Sequence, residues 1–345
     1  MMQSFELEKI LDFYQESKRK GLQTVMASLV GLEGSSYRKP GVRMLFNQQG
    51  AMMGAISGGC VEKEIFRQAN EVFDTGESKI ISYDGRYRLG CEGFLYVLIE
   101  VFSPAKEQVA DIQYALMHRK LIKIDSYYQE QTQITGSFGS VFYLDETSFT
   151  VSPYSENDLI TNASKLFKQQ VKLSIRLILI GSGHDAQTLS KVASEMGWDV
   201  HVLCSPQSNT KIVDFPGVKS VVPTIPGQFT AEFIDQRTAI VLMNHNFAKD
   251  LRYLLTLSKL HPLYVGLVGS VKRWNRLQEE MFEADTNLNL DFLDKVRSPA
   301  GLDMGSETAQ EISLSIISEI QAVFSGKLHY PIRPLSESKI KEVAV

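Results

Sequence analysis

Two hydrophobic patterns divide the chain. Over residues 5–20, Phe5, Ile10, Leu11, Phe13 and Tyr14 recur at near-helical spacing and Gly21 follows, which predicts an opening helix with a glycine at its end. Gln23 to Leu32 is then rich in β-branched and apolar residues, a polar stretch from Gly34 to Gly41 interrupts it, and Val42 to Phe46 resumes the apolar run. That order predicts a strand, an irregular loop and a second strand. Ala51 to Ile56 predicts another strand, and behind the turn Ser57-Gly58-Gly59 the stretch Cys60 to Phe66 has helical composition. Residues 79–84 and 94–102 read as strands on either side of the turn Leu89-Gly90-Cys91-Glu92-Gly93. Residues 1–103 are therefore expected to form an N-terminal mixed α+β domain. Residues 104–172 predict a helix, strands at 121–125, 139–145 and 149–153, and a helix near 156–168; they carry no motif with chemistry and read as extension and linker.

From Ile175 the pattern changes. Apolar runs at 176–181, 198–204, 219–223, 238–245 and 263–269 alternate with segments read mostly as amphipathic helices, the signature of a doubly wound parallel sheet. Gly305 to Phe324 predicts a closing helix with Ser306 as N-cap and Glu307 in its first turn. The fold class is thus α/β: a C-terminal Rossmann-type domain over 173–330, with 331–345 left as a tail.

Composition narrows the function classes. A length of 345 residues suits two cores, and 43% apolar with 22% charged residues suits a globular chain. No apolar stretch reaches the ~20 residues that span a bilayer, and the N-terminus has no apolar signal core, so a cytoplasmic location is expected. A net charge of −4 argues against a nucleic-acid footprint. The three cysteines, Cys60, Cys91 and Cys204, are odd in number and widely spaced, which fits a reducing compartment and offers no zinc knuckle. Cys204, inside an apolar run, reads as a small buried hydrophobe.

The strongest motif is Leu177 to Ala186, a strand running into Gly181-Ser182-Gly183-His184-Asp185-Ala186 and then a helix. In such a turn Gly181 permits the tight bend, Gly183 lets backbone approach a pyrophosphate, and Ala186 allows close helix packing, with the helix N-terminus attracting the anion. About 20 residues further on, a carboxylate that holds ribose hydroxyls is expected. Val202-Leu203-Cys204-Ser205 stands there instead, which speaks against NAD and leaves NADP open through Ser205 and nearby cations. A fold that keeps its turn for packing and has lost its ligand is a further reading. The fourth strand of such a sheet lies beside the first, so Asn244, His245 and Asp250 are expected to open into the same crevice. Gly269-Ser270 ends the next strand and leads into Lys272-Arg273, cations that oppose the helix dipole unless an anion answers them or water solvates them.

In the first domain Cys60 is expected at a helix N-terminus, where the dipole stabilises a thiolate able to act as nucleophile, sulfur carrier or soft metal ligand. Ser57, Gly58, Gly59 and Glu62 flank it, Cys91 sits in a glycine-flanked turn, and Arg38 offers positive charge. Residues 1–117 hold no histidine, which weakens a nucleophile-base pair within this domain.

Together these stretches resemble the XdhC/CoxI family of accessory proteins for molybdenum hydroxylases. The resemblance rests on Gly34 to Gly41, Ile56 to Glu62, Leu89 to Gly93, Gly181 to His184, Asn244-His245-Asn246 with Asp250, Val265 to Ser270, and Ser298 to Gly305 followed by Glu311-Ile312. Glu92 stands where the family usually has Gly, Asn244 where it has Thr, and Cys204 lies near a usual acidic position. The resemblance implies a chaperone, more an accessory protein than an enzyme, that binds molybdenum cofactor as molybdopterin or its dinucleotide. It implies protection of the cofactor during sulfuration and its delivery to an apo-xanthine dehydrogenase-like hydroxylase. A cysteine desulfurase as sulfur source and a homodimer are implied too. On this reading Gly181, Gly183, His184, Asn244, His245 and Ser270 take the phosphate side, while Cys60, with Cys91, takes the sulfur or molybdenum side. An NAD(P)-dependent oxidoreductase using the same glycine turn is the alternative.

Overall fold

The computed structural model describes residues 2–36, 38–56, 60–84, 93–145, 147–260, 262–286 and 288–327. Two compact units divide the chain, Met1–Leu173 and Ser174–Val345.

The first unit runs α1 (Ser4–Arg19), β1 (Thr24–Gly34), β2 (Arg43–Asn47), β3 (Met52–Gly54), α2 (Cys60–Thr75), β4 (Ser78–Asp84), β5 (Gly93–Val101), α3 (Lys106–Met117), β6 (Ile122–Tyr128), β7 (Ile134–Gly136), β8 (Gly139–Leu144), β9 (Thr147–Thr150), α4 (Glu156–Asn162) and β10 (Lys165–Gln170). Gly21, with φ at +71°, ends α1 as its sequence predicts: its N–H bonds to Lys18 O, and the following Leu22 N–H to Ser17 O. One antiparallel sheet has the order β3-β2-β1-β5-β4-β7, and a second has β10-β6-β8-β9. Alternation in β1 sends Val25, Ala27 and Leu29 into a core with Val61, Ile65, Ala69 and Val72 of α2, while Met26 joins a core with α1 and α3.

Residues 104–172, read from the sequence as extension and linker, build α3 and the whole second sheet and share the core of Leu7, Ile10 and Leu11. The helix expected near 156–168 stops at Asn162. Lys165–Gln170 pairs antiparallel with β6 instead, because an edge strand is chosen by its neighbour's free hydrogen-bonding groups more than by its own composition.

A buried polar network ties the two sheets. Arg43 on β2 donates to Ser28 Oγ at 2.6 Å, Ser126 Oγ at 2.9 Å, Ser140 Oγ at 3.2 Å and Gln169 Oε1 at 3.4 Å. Ser140 in turn donates to Glu100 through Oγ and N, at 2.7 and 2.8 Å. Burial pushes the Glu100 carboxyl up to about 7, partly offset by those Ser140 hydrogen bonds and by the Arg43 charge. The folded state then holds a proton that the unfolded chain releases near its usual 4.5, so stability falls as pH rises between about 4.5 and 7. The unfolding free energy of the first unit, read by denaturant titration, is expected to drop across that window by on the order of 2 kcal/mol, and Glu100→Gln to flatten the slope. An unchanged slope in that variant would remove Glu100 as its source.

The second unit runs β11 (Arg176–Ile180), α5 (His184–Glu195), β12 (Asp199–Cys204), β13 (Ser220–Pro223), β14 (Thr238–Leu242), α6 (Phe247–Leu257), β15 (Tyr264–Leu267), α7 (Val271–Ala284), α8 (Leu290–Lys295), β16 (Val296–Arg297) and α9 (Ala309–Phe324). All pairings are parallel and the order is β13-β12-β11-β14-β15-β16, the doubly wound arrangement expected of a Rossmann-type domain. Leu177 and Leu179 pack under α5 and α9, while Ile178 and Ile180 pack under α6 and α7; both faces are covered, so β11 reads as an unbroken apolar run.

Two crossovers depart from the strand-helix alternation. The connections after β12 and β13 hold short 3-10 turns at Ile212–Asp214, Pro226–Gln228 and Ala231–Phe233, with no α-helix. Pro206, Pro216, Gly217, Pro226 and Gly227 lie in them and interrupt helical hydrogen bonding. The closing helix is capped by Thr308, not Ser306: Thr308 Oγ1 accepts from Glu311 N, and the Glu311 carboxylate accepts in turn from Thr308 N at 2.9 Å. The tail 331–345 lies outside the described residues, among which no helix is long and apolar enough to cross a membrane.

Candidate functional site

The carboxyl end of the second unit's sheet gathers most of the candidates there. The chain leaves β11 at Gly181, whose φ is +128°. A Cβ on this residue would stand 2.6 Å from Met243 O and 3.2 Å from Asn244 N, so only glycine lets the turn pass the end of β14. Gly183 differs: it caps α5 at φ −73°, and a Cβ there would meet nothing within 4 Å. The fold makes no steric demand for glycine at 183, and the open space lies at the N-terminus of a twelve-residue helix. Ala186, at 1% exposure, seats that helix on the sheet. Such a turn cradles phosphate through backbone N–H groups and the helix dipole.

Beside the turn, a polar chain runs from β14 to α7. Asn244 Nδ2 donates to Asp250 Oδ1 at 3.0 Å, and Arg273 Nη2 donates to Asp250 Oδ2 at 2.6 Å. Asp250 is buried at 1% exposure, so the ion pair is shielded on its acid side. Ser270 caps α7 and accepts from Arg273 N at 3.3 Å. Arg273 at a helix start is thus answered by an anion from the chain itself. Its role is to position, since Asp250 holds both it and Asn244. Asp250→Ala is expected to lower the unit's stability by about 2 kcal/mol or more, by leaving the Arg273 guanidinium unpaired and Asn244 unanchored. Asp250→Asn, which keeps the shape, should lose less; thermal melts of the two variants separate charge from packing.

His184 and His245 are both exposed, His184 opening α5 and His245 in the left-handed region at φ +54° between β14 and α6. Asn246, which the family resemblance included without a site role, caps α6 by accepting from Lys249 N at 3.0 Å. Cys204 ends β12 as a buried free thiol at 2% exposure. Lys249 and Arg252, on the first turns of α6, were not singled out from the sequence; an Asn cap followed by cations at spacing three is the signal that marks them.

In the first unit Cys60 opens α2, as expected from the glycine turn before it. Glu62, 5% exposed, accepts from Ile56 N at 3.1 Å. Arg38 is half-buried in the loop between β1 and β2. Ser57, Gly58, Gly59 and Cys91 lie outside the described residues, as does the Cys60 side chain. Among the described residues no group of three His, Cys, Asp or Glu is placed to hold a metal ion.

Comparison with known proteins matches residues 177–320 to the XdhC Rossmann domain and residues 17–84 to the XdhC and CoxI family. A protein of Bacillus subtilis (strain 168), named as a probable subunit of xanthine dehydrogenase, is 29% identical over 316 residues, 86% of this chain and 92% of its own length. The "Molybdenum cofactor insertion chaperone PaoD" of Escherichia coli (strain K12) is 24% identical over 319 residues, 91% of this chain and 87% of its own. A crystal structure of a xanthine dehydrogenase from Bacillus halodurans superposes with a TM-score of 0.76 at 25% identity, covering 95% of this chain and 97% of that one.

Proposed function

Because the chain belongs to the XdhC and CoxI family, we propose that it is an accessory protein that inserts molybdenum cofactor into a xanthine dehydrogenase-like hydroxylase. The observation that carries this reading is Gly183, a glycine the fold leaves room to replace, set at a helix start beside the Gly181 turn. Open space at that point fits the phosphate or pyrophosphate end of a molybdopterin. When bound, the cofactor supplies the molybdenum centre with which the recipient enzyme does its chemistry.

This chain's own task is to hold and release. Gly183, behind the bend that Gly181 permits, presents its backbone N–H to the phosphate end, and Asn244, kept in place by Asp250, borders the same turn. His184, His245 and Ser270 are placed at neighbouring helix starts and loops, and their donors add to the anion's hold. Cys60, at the start of α2, takes the sulfur or metal end, with Cys91 assisting and Arg38 supplying charge. Sulfur is added while the cofactor is held, a cysteine desulfurase being its source, and the chain acts as a homodimer. Protection follows from keeping the reactive end out of water until handover.

The test is a titration of molybdopterin and its cytosine dinucleotide into wild type and Cys60→Ala under reducing, anaerobic conditions. Tight binding by wild type, weakened by at least about tenfold in Cys60→Ala, supports the reading and Cys60's place in it. Binding of NADPH alone would replace it with the oxidoreductase alternative.

A further inference from the structure

Beyond the glycine turn, the carboxyl ends of β12 and β14 and the loop after β13 enclose a cavity of about 480 Å³. This is within the size of small-molecule sites. Its base is Leu203, Cys204 and Tyr253, its rim carries Ser205, Lys249 and Arg252, and among the described residues no Asp or Glu lines it. Ser205 Oγ accepts from Lys249 Nζ at 3.2 Å and donates to Gln207 Oε1 at 2.6 Å. Tyr253 donates to Thr224 O at 3.1 Å, and its burial, with Cys204 beside it, pushes its hydroxyl up to about 12, so it adds no negative charge. The first turn of α6 also borders the cavity through Asn246 and Ala248, and brings the positive end of that helix.

In a dinucleotide-binding sheet the end of the second strand meets the ribose: a carboxylate there takes the two hydroxyls, and a cation nearby takes a phosphate on the sugar. Here the acid is replaced by Cys204-Ser205, and two cations from α6 stand opposite. We propose that this cavity binds a nucleotide through a phosphate carried on its ribose. The assignment does not depend on what the glycine turn holds. Asn244 lines the cavity and also borders that turn, so one dinucleotide can span both places or a separate nucleotide can occupy this one.

Calorimetric titration of the full chain with 2′,5′-ADP, 5′-ADP, CDP and inorganic phosphate tests this. The 2′-phosphorylated nucleotide is expected to bind at least about tenfold more tightly than 5′-ADP. That preference should vanish in Lys249→Ala/Arg252→Ala, where both residues are exposed and their loss spares the core, and persist in Gly183→Val. Ser205→Asp, which restores a carboxylate, should reverse it. Equal affinities for the two adenine nucleotides, a preference untouched by the double variant, or no nucleotide binding would each overturn the proposal. Molybdenum cofactor binding that survives in Lys249→Ala/Arg252→Ala leaves the accessory role standing whichever way the nucleotide result falls.

Discussion

Gly181→Ala is expected to cost the second unit about 3 kcal/mol or more, whereas Gly183→Val costs no more than about 1 kcal/mol yet lowers cofactor affinity by over tenfold, by a rough estimate. The two glycines stand two residues apart and answer to different constraints. At 181 a Cβ collides with the Met243 carbonyl, which is backbone at the end of a central strand and has nowhere to go, and φ at +128° is strained for any other residue. At 183 the backbone is already in a region that valine accepts, and nothing lies within 4 Å. A side chain there fills space that a phosphate would otherwise enter. Chemical denaturation paired with molybdopterin titration measures both. If Gly183→Val binds as wild type does, the phosphate cradle is not at this turn.

Replacing Arg43 by Met is expected to cost the first unit about 3 to 5 kcal/mol. The guanidinium is fully buried, and burial lowers its pKa to about 10, but the Glu100 charge nearby offsets part of this and it remains protonated at neutral pH. Removing it leaves Ser28, Ser126, Ser140 and Gln169 without their common donor and leaves Glu100 without its cation. Because Ser140 links the two charges, Arg43→Met and Glu100→Gln should not be additive, and the double variant should recover part of the loss. Equilibrium unfolding of the four-member cycle gives the coupling directly. A loss for Arg43→Met below about 1 kcal/mol would mean that water replaces the guanidinium at no cost.

What the sequence discloses follows from what is local. The turn from Leu177 to Ala186 was legible because strand, glycines and helix are consecutive and each has its own physical reason. Asn244 and Asp250 were legible because the doubly wound order places the fourth strand beside the first, and the hydrogen bond between them joins residues six apart. The Arg43 network was not: Arg43 sits within the strand Arg43–Asn47, all of it buried, and meets Gln169 across 126 residues. Residues 165–168 read as the end of a helix because nothing local announces that β6 has an open edge. The alternation after Ile175 predicted mostly helical crossovers without singling out those after β12 and β13, where prolines break helical hydrogen bonding. In the first unit Cys60 stands at the start of α2, as its sequence predicts, while Ser57, Gly58, Gly59 and Cys91 fall outside the described residues.

Those two crossovers also separate the parts of the second unit that can drift from those that cannot. The stretch Thr224–Gly227 forms one wall of the cavity yet contributes no residue to the buried cores, which resume at Phe229. Insertions or exchanges there are expected to alter the nucleotide proposed for the cavity without disturbing strand order or helix seating. Among relatives that keep the Gly181 turn, this short wall is where divergence in the cavity's ligand should accumulate first, the sheet acting as a fixed chassis behind an exchangeable fitting.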